Sequence, residues 1–174
     1  LKMGGDRCYV VGGRKCFSNY CSDIAPALLS LEAEVKLTGP EGERKIPLHE
    51  LYTGKGEKPF NLVPGEIMTA VLIPDVPTKG AYEKLRLRNS IDYPLLGVGF
   101  SVADWKGRLA IGALGPKPFL EILNDLTKDD IERAAQRASG KARPIENTTV
   151  SPLYRKKMVK VLAMKVMREF CSGA

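Results

Sequence analysis

Residues 22–48, SDIAPALLSLEAEVKLTGPEGERKIPL, decide how the chain is built. Ser22 or Asp23 can accept a hydrogen bond from the orphan amides of a first helical turn, and Pro26 is tolerated that early, so a helix is expected to begin here. It carries Ala27, Leu28, Leu29 and Leu31 and is expected to end near Ala33. Ala33–Leu37 then alternates apolar and polar, the period of a half-buried strand. Gly39-Pro40-Glu41-Gly42 is turn chemistry, and Arg44–Leu48 returns as the partner strand of a hairpin.

Toward the C-terminus, His49–Gly54 suggests a short helical turn and the Gly-, Pro- and Lys-rich stretch 55–65 an exposed loop. Residues 66–74, EIMTAVLIP, form a strand closed by Pro74 and Pro77. Residues 74–79 are expected to be a linker between two subdomains. Beyond it, residues 81–88 place Tyr82, Lys84, Arg86 and Arg88 on one side and Ala81, Glu83, Leu85 and Leu87 on the other. That is a strand whose basic face could meet a ligand. Residues 95–103 and 108–114 make two more strands around Asp104-Trp105-Lys106-Gly107, an antiparallel meander. A helix is expected over 129–139 with Ile131, Ala134, Ala135 and Ala138 inward. Another follows the Ser151 cap and Pro152, with Leu153, Val159, Leu162, Val166 and Phe170 as its stripe and Lys and Arg opposite. Strands and helices are segregated, which defines an α+β fold.

The chain has 174 residues, 44% apolar and 27% charged, enough for one domain or two small ones with a real core. No apolar run approaches the roughly 18 residues of a spanning helix. The opening, Leu1-Lys2-Met3-Gly4-Gly5, reads as a chain entered midway rather than as a signal peptide. The net charge of +7 could suit a polyanion. However, basic residues are interleaved with acidic ones, as in Glu41-Gly42-Glu43-Arg44-Lys45, and no basic run alternates with stacking aromatics. Nucleic acid is therefore excluded as the expected partner, and an anionic cofactor or substrate is the alternative use of the charge.

Hydrolytic chemistry finds little support. His49 is the single histidine, no G-x-S-x-G elbow exists, and no zinc spacing, P-loop or complete G-x-G-x-x-G occurs; Gly97-x-Gly99 is too little to assign. The cysteines are the better clue. Residues 8–29, CYVVGGRKCFSNYCSDIAPALL, hold three of the four cysteines, Cys8, Cys16 and Cys21. Thiolates on a Gly-rich loop can converge on an iron–sulfur cluster, whereas buried or disulfide-bonded cysteines are the alternative. Cys171, near the end of the last helix, is expected to be incidental.

Taken in order, SDIAPALLSLEAEVKLTGPEGERKIPLHELYTGKG, PGEIMTAVLIP, YEKLRLRNSIDYPLLGVGF, IGALGPKP and SPLYRKKMVKVL resemble the flavin-binding medium subunit of the xanthine dehydrogenase, or molybdenum hydroxylase, family. Within it they most resemble the branch typified by the 4-hydroxybenzoyl-CoA reductase β subunit, and the likeness runs from about Asp23 to Arg168. The resemblance implies the C-terminal part of a vanillyl-alcohol-oxidase-type FAD domain, residues 23–76, and a CO dehydrogenase flavoprotein C-terminal-like domain of antiparallel sheet and helices, residues 79–174. Residues 1–22 would be part of an iron–sulfur loop. The expected cofactors are FAD and a 4Fe-4S cluster, with molybdopterin and a 2Fe-2S centre on partner subunits.

By the same resemblance, Asp23 would accept hydrogen bonds from the flavin nucleotide, Met68 would pack near the isoalloxazine, and Lys84 would approach the flavin's polar edge, where a cation favours the reduced form. Cys8 and Cys16 would be two cluster ligands, the other two lying upstream. Cys21 falls where relatives carry a small residue such as serine and takes no assigned role. No catalytic residue is assigned to this chain, because substrate chemistry in the family occurs at molybdenum. The implied partners are the molybdopterin large subunit, the 2Fe-2S small subunit, the N-terminal half of the FAD domain and ferredoxin, in a cytoplasmic complex. The alternatives are a medium subunit acting with another substrate (a purine, an aldehyde or carbon monoxide) and a scaffold domain that has lost both cofactors.

Overall fold

The structure, a computed structural model, describes residues 16–170; Cys8 and Cys171 lie outside them. The order of elements is α1 (Ala25–Ser30), β1 (Glu34–Gly39), β2 (Gly42–Pro47), α2 (Leu48–Leu51), β3 (Tyr52–Lys55), β4 (Lys58–Phe60), β5 (Ile67–Leu72), β6 (Lys79–Leu85), β7 (Leu96–Ala103), β8 (Lys106–Gly112), β9 (Phe119–Leu123), α3 (Lys128–Lys141) and α4 (Pro152–Arg168). This is an α+β architecture whose sheet pairings are antiparallel.

The first sheet has the order β2-β1-β5. Its hairpin closes on Pro40-Glu41, with Gly39 opposite Gly42. Val35 and Leu37, the apolar positions of the alternation in β1, are fully buried, together with Leu29, Leu48, Leu51 and Tyr52. Arg44 grips Glu66 in bidentate fashion at 2.7 and 2.9 Å, and Glu66 also accepts the Val63 amide at 2.9 Å. Those donors hold the Glu66 carboxyl at about 2, first through Arg44 and then through the Val63 amide.

The second sheet is the meander β6-β7-β8-β9. Along β7, Leu96, Val98 and Phe100 alternate with Gly97, Gly99 and Ser101, which sorts the two faces by size. The large residues, with Leu109 and Ile111 of β8, pack under α3 and α4 against Ala134, Ala135, Ala138, Val159 and Ala163. The small ones, with Ala110 and Gly112, leave a shallow floor on the other face, and α1 lies on it. A β-carbon on Gly99 would come within 2.7 Å of the Pro26 carbonyl oxygen and 3.0 Å of the Ala27 nitrogen. One on Gly112 would meet the Pro26 ring at 2.7 Å. Ser101 Oγ donates to the Ser30 carbonyl, and Arg108 reaches Glu32 at 2.6 Å, so the end of α1 is tied down as well.

The structure corrects the sequence reading in several places. The first helix starts at Ala25 and ends at Ser30, because Glu32 turns into the left-handed region (φ 54°) before β1. Ser22 Oγ does accept the Ala25 amide, at 3.1 Å, whereas Asp23 takes no part in capping. The stretch expected as an exposed loop contains the β3–β4 hairpin, and β9 had no clear sequence signal. Strand β6 stops at Leu85, so Arg86 and Arg88 belong to a turn rather than to a basic strand face. On α4, Leu153 is exposed and Arg155 is buried, donating to the Ile145 carbonyl and to Asn147 Oδ1. The inward residues of α3 are those its periodicity indicates.

Gly99→Ala forces backbone atoms of α1 away from the sheet and should destabilise the fold by about 1–3 kcal/mol, read from denaturant midpoints. Gly115→Ala, with nothing near its added carbon, should be close to neutral in the same measurement. Because the folded-state pKa of Glu66 is depressed, its contribution is present above pH 4.5 and disappears as pH falls toward 2. Arg44→Ala should return the Glu66 titration toward its ordinary value, as followed by carboxyl NMR.

Candidate functional site

The seating of α1 brings its N-terminal approach to the edge of the second sheet. In the β6–β7 register Tyr82 stands opposite Gly99 and Lys84 opposite Gly97, so both side chains share the glycine face with α1. Lys84 Nζ lies 2.6 Å from Asp23 Oδ1 and donates to the Asp92 carbonyl, also at 2.6 Å. The lysine side chain is only 17% exposed and its carboxylate partner 53%, which leaves one side of the pair open to solvent. Tyr82 completes the cluster: its hydroxyl would stand 3.0 Å from a β-carbon at Gly97. Burial, aided by the Asp23 charge, pushes the Tyr82 phenol up to about 12.

The turn after β6 is built around the Asp92 carboxylate. It accepts the amides of Leu87 and Arg88 at 3.1 Å each, the Tyr93 amide at 3.0 Å, and Arg88 Nη2 at 3.3 Å. This wrapping explains why the strand ends at Leu85: the next amides donate to a side chain instead of to a neighbouring strand. Among the apolar side chains of this turn, Leu87, Ile91 and Tyr93 are exposed.

Met68 occupies a different wall. It sits on β5, half exposed, at an apolar cavity of about 180 Å³ that Tyr20, Leu28, Tyr52, Phe60 and Val71 also line. Tyr20 and Tyr52 meet edge-to-face with centroids 4.9 Å apart, and Phe60 packs on Tyr20 at 5.6 Å. Ser22 and Ile24 line this cavity too, while Asp23 between them turns to Lys84. The start of α1 therefore separates an apolar recess from a charged pair.

Of the residues singled out in the sequence, Asp23 and Lys84 are in contact and Met68 lies across α1 from them. Cys16 is half-buried and Cys21 exposed; neither is in a disulfide. The Cys16 carbonyl accepts the Gly56 amide at 3.2 Å. Among the described residues no group of three or more His, Cys, Asp or Glu side chains is placed to hold a metal, and the Cys8–Cys16 pairing rests on a residue outside them. His49 is exposed, with Glu50 4.0 Å away. Two members of the cluster went unassigned in the sequence. Tyr82 was legible as a same-face neighbour of Lys84, and Asp92 as an Asx residue inside a turn.

The chain is similar to known proteins over much of its length. Residues 10–76 match the family described as the FAD binding domain in molybdopterin dehydrogenase. Among curated proteins, the chain is 36% identical over 117 residues to the aldehyde oxidoreductase FAD-binding subunit PaoB of Escherichia coli strain K12, covering 63% of this chain and 37% of that protein. It is 28% identical over 173 residues to the glyceraldehyde dehydrogenase medium chain of Sulfolobus acidocaldarius, covering 91% and 60%. The chain thus spans from about a third to three-fifths of the length of these relatives. A solved Cu,Mo-CO dehydrogenase structure superposes with a TM-score of 0.70 at 26% identity, over 82% of this chain and 54% of that one. The antiparallel α+β fold implied by the family resemblance is therefore the fold found. No helix among the described residues is long and apolar enough to cross a membrane.

Removing the carboxylate beside the phenol has a signed consequence. Asp23→Asn should lower the pKa of Tyr82 while leaving it above the ordinary tyrosine value of about 10, because burial remains the larger cause. An absorbance titration of phenolate, with Tyr82→Phe to identify the signal, measures this.

Proposed function

We propose that this chain is part of the FAD-carrying, electron-transferring subunit of a molybdenum hydroxylase-type oxidoreductase. The observation that carries the proposal is the Asp23–Lys84 pair at the open edge between α1 and the glycine face. Its donor set suits a flavin nucleotide. A carboxylate can accept from sugar or ribityl hydroxyls, and a half-buried ammonium can face the electron-rich edge of the ring. The neighbouring apolar recess, with Met68 at its rim, can take the ring's hydrocarbon part. FAD, when bound, supplies the electron-carrying chemistry. The residues of this chain bind and orient it, exclude water on the Met68 side and fix one positive charge at Lys84.

The edge strand β5 exposes Ile67, Met68 and Val71. This apolar edge is a surface on which the N-terminal half of the FAD domain would pack. The further partners are a molybdopterin-bearing large subunit and a small 2Fe-2S subunit, in a soluble complex of the cytoplasm.

Two finer readings divide over the cysteine loop. In the first, the complex is 4-hydroxybenzoyl-CoA reductase-like and fed by ferredoxin, and Cys8 and Cys16 contribute to a 4Fe-4S cluster; the resemblance supports it, because these two cysteines fall where that branch carries its last two cluster ligands. In the second, the complex is a dehydrogenase acting on an aldehyde, a purine or carbon monoxide; the similarity to the aldehyde oxidoreductase subunit and the glyceraldehyde dehydrogenase medium chain supports it. Iron analysis and EPR of the complex before and after Cys16→Ser separate them. A lost cluster signal supports the reductase branch, and unchanged iron sinks it.

For the flavin itself, the purified complex should show FAD absorbance. Lys84→Met should lower the flavin reduction potential, because removing a nearby cation disfavours the reduced state. A complex without FAD would overturn the proposal in favour of a scaffold domain.

A further inference from the structure

We propose that Asp92 is the positioning residue of the Asp23–Lys84 pair. Its carboxylate gathers the amides of Leu87, Arg88 and Tyr93 and the Arg88 guanidinium. The turn that results aims the Asp92 carbonyl at Lys84 Nζ, 2.6 Å away. One residue thus acts twice: its side chain shapes the turn, and its backbone holds the ammonium on Asp23.

The alternative positions open to Lys84 show why such a device is needed. A lysine has a long flexible stem, and a lone exposed ion pair fixes it poorly, contributing about 0–1 kcal/mol against side-chain entropy. Here Asp23 is half exposed and approaches from the end of a short helix. A second oxygen at hydrogen-bonding distance from the same nitrogen restricts the ammonium to one place. That oxygen belongs to a turn rather than to the sheet, so its position depends on whatever holds the turn. The side chain of Asp92 is only 14% exposed, and the four hydrogen bonds it accepts close the loop back to β6 before Leu95 resumes pairing with the Leu85 carbonyl at 2.9 Å.

The inference concerns the Lys84 geometry and rests on the flavin reading only for its second arm. In the first arm, competitive acylation of the full chain with acetic anhydride, read by mass spectrometry, reports how freely Lys84 reacts. Asp92→Ala should raise Lys84 labelling roughly tenfold, the scale of a lost hydrogen bond to a charged group, and should speed amide exchange at Leu87, Arg88 and Tyr93. Asp92→Asn keeps the volume but loses acceptor capacity and charge, and should give a smaller change of the same sign. Asp75→Asn, in an exposed linker, should change neither. In the second arm, FAD affinity and flavin potential are measured in the complex. Asp92→Ala should shift both in the direction of Lys84→Met, and the double variant should match Lys84→Met alone, as expected for residues acting through one contact.

Unchanged Lys84 labelling in the folded Asp92→Asn and Asp92→Ala proteins would overturn the positioning role. So would additive effects in the double variant. Absence of FAD from the wild-type complex would overturn the flavin reading instead, and the labelling arm would then decide the role of Asp92 by itself.

Discussion

The contact on which the rest of the structure depends is the approach of Pro26 and Ala27 to the glycine floor of β7 and β8. An isolated six-residue helix has no stability of its own in water, since nucleation costs more than so few hydrogen bonds return. It exists here because one face of the four-stranded sheet is stripped of side chains where the helix must lie, at Gly97, Gly99 and Gly112, and because its far end is held by Ser101 and Arg108. The other face of the same strands carries Leu96, Val98, Phe100, Leu109 and Ile111 under α3 and α4. Strand alternation thus serves two packing problems at once, large residues for a helical layer and small ones for a close backbone crossing.

The same arrangement fixes the electrostatics of the candidate site. Lys84 and Tyr82 project onto the face that the glycines leave low, so their side chains lie alongside α1 instead of under it. Burying an ammonium costs free energy unless it is paired, and here two oxygens lie at 2.6 Å, one charged and one neutral. The pair stays open on the Asp23 side, where water or a ligand hydroxyl can reach the carboxylate. Tyr82 is kept neutral beside that carboxylate and can act as a hydrogen-bond donor across the neutral pH range.

How far this was legible in the sequence follows from which features are local. The β1–β2 hairpin, β5, β7, β8 and both long helices carry period-two or helical signals in their own residues, and those elements fall where the signals lie, within a few residues. The β3–β4 hairpin has only four- and three-residue strands of mixed polarity, and β9 is a five-residue edge strand on β8, entered from Pro116 and Pro118, so neither offers a period to read. Gly97-x-Gly99 is too little to assign from sequence, and its glycines serve a helix crossing that no local rule announces. Asp23 looked like a helix cap, and only tertiary placement shows Ser22 doing that work while Asp23 faces Lys84. Arg155, which the sequence groups with the Lys and Arg opposite the apolar stripe of the last helix, is buried because the loop of residues 143–150 brings carbonyl and amide oxygens to it.

The two halves of the charged pair belong to elements on either side of residues 73–78, which connect β5 to β6. Asp23 precedes a helix that packs with the core of Val35, Leu37 and Leu51, while Lys84 rises from the sheet whose core lies under α3 and α4. The pair therefore forms only when α1 is docked on the second sheet, and it is as sensitive to that docking as to the identity of its own residues. A substitution that lifts α1 from the floor would separate Asp23 from Lys84 without touching either, and would also open the apolar recess that Ser22 and Ile24 line. Positions such as Gly99 and Gly112 thus belong to the site as much as to the core, since the distance between carboxylate and ammonium is set by how closely two backbones can approach.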